Sequence, residues 1–88
     1  MNKMLAGIRS ADLRGADLSG ADLRGVRAVN ANFRFADMRG ALLEEADLSW
    51  ADLAGSDMRG AHIRGCNMQY ANYPTEGWKL PLALREDH

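Results

Sequence analysis

Residues 11–25 read ADLRG ADLSG ADLRG, one five-residue unit written three times without a gap. Extended both ways, the register runs from Ala6 to Tyr73. Let i be the large apolar residue of each unit: Ile8, Leu13, Leu18, Leu23, Ala28, Phe33, Met38, Leu43, Leu48, Leu53, Met58, Ile63, Met68 and Tyr73. Position i−2 is then almost always Ala, with Val26, Ser56 and Cys66 as the exceptions, and i−1 is mostly Asp or Asn. Glycine recurs at i+2, as at Gly15 and Gly20.

A period of five excludes both straight elements. On an α-helix each step of five overshoots a full turn by roughly 140°, so the leucines would scatter around the cylinder. On a straight strand an odd period sends successive leucines to opposite faces. The pattern is buried only if i−2 and i share an inward face, i−1 points out, and the chain bends at i+1 and i+2, where glycine suits positive φ.

Tandem A-(D/N)-L-x-x units resemble the pentapeptide-repeat family, over about three quarters of the chain. The resemblance implies an all-β fold: a right-handed quadrilateral β-helix, four units to a square coil, with about 3.5 coils stacked at strand spacing. It also implies that i−2 and i point inward and i−1, i+1 and i+2 outward. The residues alone leave three or four units per coil open. The one hint for residues twenty apart is the alternation of Arg24, Glu44 and Arg64.

The expected division is a short lead-in over residues 1–5, the β-helix over 6–75, and a capping or dimerisation tail over 76–88. Met4 and Leu5 are too few to build a thick cover for the lower edge, and open main-chain edges invite pairing with another chain. Pro74 ends the register because it cannot donate to a ladder. Beyond it, Trp78, Leu80, Leu82 and Leu84 alternate as in a strand, whereas Pro81 would equally open a short helix. Such a tail covers the last coil, as terminal elements of solenoids do, or reaches a second subunit.

A chain of 88 residues makes one domain with a marginal conventional core, which stacking coils supplement. Its lone Cys66 permits no internal disulfide. With no signal-peptide pattern and no membrane-length apolar run, a cytoplasmic protein that does not insert in membranes is expected. The formal net charge is −1, and Arg commonly follows Asp two residues later, as in Asp12 with Arg14 and Asp37 with Arg39. That balance leaves no basic stripe for nucleic acid.

No catalytic group is expected. Repetition accounts for the carboxylates, and no base, nucleophile and orienting group converge. Asp17, Asp37 and Asp57 would attract a cation only if aligned, and ligand loops for hard cations are absent. His62 faces out and Cys66 in, so they share no metal, and His88 is terminal. No metal or cofactor is expected.

Two departures stand out. Unit 26–30, VRAVN, exchanges small and large at Val26 and Ala28, a volume-conserving swap that cores tolerate. At i+2, non-glycine residues appear at Asn30, Phe35, Glu45, Trp50 and Tyr70. With four units per coil, Trp50 and Tyr70 stack on one face near Val29, Phe35 stands round the next corner, and Leu42 extends another face. Exposed aromatic patches are where partners bind, although laddered rings also stabilise a stack.

These features point to a non-enzymatic protein–protein interaction scaffold. Phe35, Trp50, Tyr70, Trp78 and Leu82 are the candidate partner contacts, with homodimerisation through an open coil end or the tail as a further expectation. The alternative, implied by the resemblance alone, is an acidic DNA mimic that occupies DNA gyrase, a type II topoisomerase. It needs negative charge at phosphate-like density, which Arg9, Arg14, Arg24, Arg34, Arg39, Arg59 and Arg64 interrupt.

Overall fold

A computed structural model describes residues 7–85. Met4, Leu5 and His88, for which the sequence suggests a cover and a loose end, lie outside the described residues.

Each coil is built from the turn upward. The carbonyl of i accepts the N–H three residues on, as from Ala16 to Leu13 at 3.1 Å and from Ala36 to Phe33 at 3.0 Å. The i+2 residue has positive φ, between 59° and 72° across glycines and non-glycines alike. A type II turn has this combination. The side chain at i−1 fastens the same corner: Asp12 Oδ1 accepts the Arg14 N–H at 3.2 Å, Asp47 Oδ1 that of Ser49 at 3.1 Å, and Asn32 Oδ1 that of Arg34 at 3.1 Å. Asp and Asn are the residues that cap a turn in this way. Their prevalence at i−1 therefore follows from the corner they close and not from surface charge alone.

Between coils, every bridge is parallel and joins residues twenty apart, from Gly7 with Arg27 to Asp52 with Asn72. A coil therefore contains four units, and three per coil is excluded. The backbone alternates direction: Leu13 N–H donates up to Asn32 O, while Asn32 N–H donates down to Ala11 O, both at 2.8 Å. The expected all-β architecture takes the form of single-residue bridges rather than strands several residues long. Each side of the coil is too short for more, since only three residues lie between one corner and the next, and only the middle one pairs fully.

Inside, alanines and large residues fill a closed core. Ala31, Phe33, Met38, Leu43, Leu48, Leu53 and Met58 are essentially inaccessible. Val26 and Ala28 are both buried, so the exchanged unit packs as its conserved volume suggests. Burial falls off toward the ends, where a coil has a neighbour on one side only: Ile8, Leu13 and Leu18 are half-buried at the bottom, Ile63 and Cys66 at the top. Tyr73 departs from the register. Expected inward, it is 40% exposed, and its hydroxyl donates to Met68 O at 3.4 Å. Pro74 follows it, and the chain leaves the coil there instead of enclosing the ring.

The tail chooses the helical alternative, as two 3-10 turns, Gly77–Lys79 and Leu82–Leu84. It crosses the upper edge: Met58 N–H donates to Lys79 O at 2.7 Å, Pro81 is buried, and Leu84 packs on the core. Arg85 holds this path by donating to Leu80 O and Trp78 O at 3.1 and 2.8 Å.

Candidate interaction surface

The i+2 corners form four columns along the rod. One is Ser10, Asn30, Trp50 and Tyr70; all four have positive φ with no glycine among them. Trp50 and Tyr70 are 59% and 69% exposed and stack with centroids 4.6 Å apart and planes 22° from parallel. The spacing of the coils sets that distance, so the pair is a direct product of two aromatic residues twenty positions apart. Val29 is half-buried.

Phe35 occupies the next corner, 67% exposed, with its ring lying over Gly55 of the coil above and the Arg34 guanidinium 5.7 Å from its centroid. Trp78 and Leu82, exposed as well, belong to the tail. Arg59 and Lys79 stand 5.1 and 5.4 Å from the Trp78 ring, and Leu82 lines a groove with Ile63, Arg64 and Pro81. Of the five candidate contacts, the structure brings Trp50 and Tyr70 together, puts Phe35 one corner away, and leaves Trp78 and Leu82 at the far end. Leu42 is half-buried and adds little surface.

Charge around these rings is internally balanced. Arg14, Arg24, Arg39 and Arg59 each grip the aspartate two residues earlier through Nε and Nη2. Those side-chain bonds, reinforced by the backbone N–H of the same arginine, hold Asp12, Asp22 and Asp37 down to about 2. Asp17, Asp37 and Asp57 do align through successive bridges. Their oxygens, however, turn back to Ser19, Arg39 and Arg59. Among the described residues, no three His, Cys, Asp or Glu side chains gather as a metal site.

Three contacts escaped the sequence. Asp52 receives a hydrogen bond from Asn72 Nδ2 at 3.0 Å and lies 3.9 Å from Arg34 Nε, linking three coils. Glu44 Oε2 meets His62 Nδ1 at 3.5 Å, while its Oε1 is buried with no hydrogen-bond partner among the described residues. The twenty-residue register carries the signal for Asn72 with Asp52, and an interval of eighteen for Arg34 with Asp52 and for Glu44 with His62. Cys66 is half-buried in its i−2 slot, and burial, with Asp47 adding, pushes its thiol up to about 12. No described helix is long and apolar enough to cross a membrane.

The family model for pentapeptide repeats matches residues 8–44 and 41–72, in eight copies. Among solved structures, a pentapeptide repeat protein from the thylakoid lumen of Arabidopsis thaliana is 30% identical, with TM-score 0.40, over 83% of this chain and 55% of its own. One from the cyanobacterium Cyanothece 51142 is 24% identical, with TM-score 0.34, over 73% and 54%. A third, from Nostoc Pcc 7120, is 25% identical, with TM-score 0.32, over 84% and 82%. The chain thus spans about half the length of the first two. No curated protein matches it. On the repeat match, which covers most of its length, the chain belongs to the pentapeptide-repeat family.

Proposed function

We propose that this chain is a non-enzymatic binding rod, a right-handed square coil of about 3.5 turns that presents aromatic corners to a protein partner. One observation carries the reading: bulky Phe35, Trp50 and Tyr70 occupy corners with φ of 61° to 63°, where glycine stands at seven other turns. A left-handed backbone costs a side-chain-bearing residue on the order of 1 kcal/mol. Exposed rings maintained at such positions favour binding.

The grip of arginine on four aspartates weighs against the DNA-mimic alternative, which needs unneutralised negative charge. Cytoplasmic location and self-association through a coil end or the tail belong to the same reading. Light scattering across a wide concentration range tests the second, and a constant monomer mass would remove it.

The test of the binding role is affinity capture with Trp50→Asp beside the parent chain. The exchange sits on an exposed corner and is expected to leave the coil folded while abolishing capture. Undiminished capture by the folded variant would take the Trp50 and Tyr70 column out of consideration.

A further inference from the structure

The uppermost side of the coil, Cys66 to Tyr70, lacks the three backbone bonds that its counterpart below makes. One coil down, Leu48 and Trp50 donate to Asn67 and Gln69 carbonyls at 2.7 and 3.0 Å, and Ala46 O accepts from Asn67 N–H at 2.8 Å. Among the described residues, Met68 and Tyr70 N–H donate to nothing and Cys66 O accepts nothing. The neighbouring side, 61–65, makes no more of these bonds: among the described residues Ile63 and Gly65 N–H donate to nothing and Ala61 O accepts nothing. There, however, Pro81 and Leu82 of the tail line a groove with Gly60, Ala61, Ile63 and Arg64.

Charge changes at this edge. Aspartate recurs along the lower coils, but from Met58 to Thr75 the chain has no Asp or Glu, and the acids that reach this stretch come from below, Glu45 against Gly65 and Glu44 against His62. Arg64, at the corner before Cys66, makes no ion pair among the described residues. The aromatic column also ends here, since among the described residues Tyr70 stacks on Trp50 below and on no ring above.

We infer that the Cys66–Tyr70 edge takes up an acidic, extended peptide segment of a partner, which adds one more side to the coil and sets an aromatic residue on Tyr70. This rests on the proposed binding role and names the partner's chemistry. Only an extended main chain offers two carbonyls and an N–H at the spacing that Met68, Tyr70 and Cys66 require, the basis of strand addition at open edges. A segment reading small, acidic, large apolar, any, aromatic fits, with a further acid preceding it toward Arg64.

The chain contains such a segment in residues 45–51, EADLSWA, which supplies the probe as a blocked synthetic heptapeptide. Titrated into the full chain labelled with 15N, it is expected to slow amide exchange of Met68 and Tyr70 at least tenfold at saturation. N-methylation of the peptide's Asp nitrogen removes the bond to Cys66 O and should weaken binding tenfold or more. Arg64→Glu should weaken it at least threefold. No perturbation up to about 1 mM peptide, perturbation centred on Leu82 or Asp17 instead, or equal binding of the N-methylated peptide would overturn the inference. Capture through Trp50 tests the lateral corner separately. A partner captured while the Met68 and Tyr70 amides exchange freely defeats the edge inference alone, and a peptide bound at the edge after Trp50→Asp leaves capture unchanged defeats only the corner.

Discussion

A Cβ placed on Gly55 would lie 2.5 Å from Cδ1 of Phe35, because the ring lies over that glycine of the coil above. Gly55→Ala therefore meets two obstacles, positive φ of 72° and the ring itself. Gly40→Ala, with φ of 67° and open space around it, meets one. Gly40→Ala is expected to cost about 1 kcal/mol, and Gly55→Ala about 1 kcal/mol more. In chemical denaturation, adding Phe35→Gly should recover the difference. Equal losses at the two glycines would show that the ring swings aside freely.

Trp50→Gly pits two effects against each other. It loses a ring stack worth about 0.5–1.5 kcal/mol and relieves a left-handed backbone costing a similar amount. Its stability should thus lie within about 1 kcal/mol of the parent's. A large loss on thermal melting would mean that the rings serve the fold rather than a partner.

Ser56 sits in an i−2 slot, fully buried, and its hydroxyl has no hydrogen-bond partner among the described residues. Alanine fills most such slots, and Ser56→Ala removes a polar atom that has lost its water. A gain of about 1 kcal/mol is expected in the unfolding free energy. A loss would reveal a partner for the hydroxyl.

Acid should loosen the corners. Asp12, Asp22 and Asp37 have folded pKa values near 2, below the ordinary 3.8, so the unfolded chain takes up protons first. Their stabilisation is complete above about pH 4 and drains away as the pH falls toward 2. Melting temperature followed from pH 6 to pH 2 should be level and then drop over that window. A flat profile would show that the carboxylates do not couple to folding.

Cys66 should resist thiol reagents. With its thiol raised from 9.0 to about 12, the thiolate fraction at pH 8 falls about a thousandfold, and modification slows accordingly until the coil opens. Rates with a chromogenic disulfide in buffer and in denaturant test this, and equal rates would refute it.

The inward register was legible because it is local: Ala31 and Phe33 lie two residues apart, and each unit repeats that relation. The number of units per coil was not, because residues twenty apart need share only a backbone pattern. Arg24, Glu44 and Arg64 suggest an alternating column; Glu44 does act on the charge of Arg24, and its Oε2 also meets His62. Trp50 and Tyr70 were foreseen as neighbours, and their shared corner follows once four units close a coil. The tail stayed ambiguous since alternating leucines and a proline suit a strand and a short helix alike, and the choice fell to packing of Pro81 and Leu84 on the last coil.

Pairing at an interval of twenty has a further consequence for how such a chain can change. Inserting twenty residues lengthens the rod and leaves every corner above in line. Inserting five keeps the core satisfied but swings everything above it round by a quarter turn. One extra unit between Trp50 and Tyr70 would carry the tyrosine to a different edge of the square and dissolve the stack without unpacking a single leucine. Whole units thus act as a dial, by which surface features can be re-sorted among the four edges while the interior stays as it was.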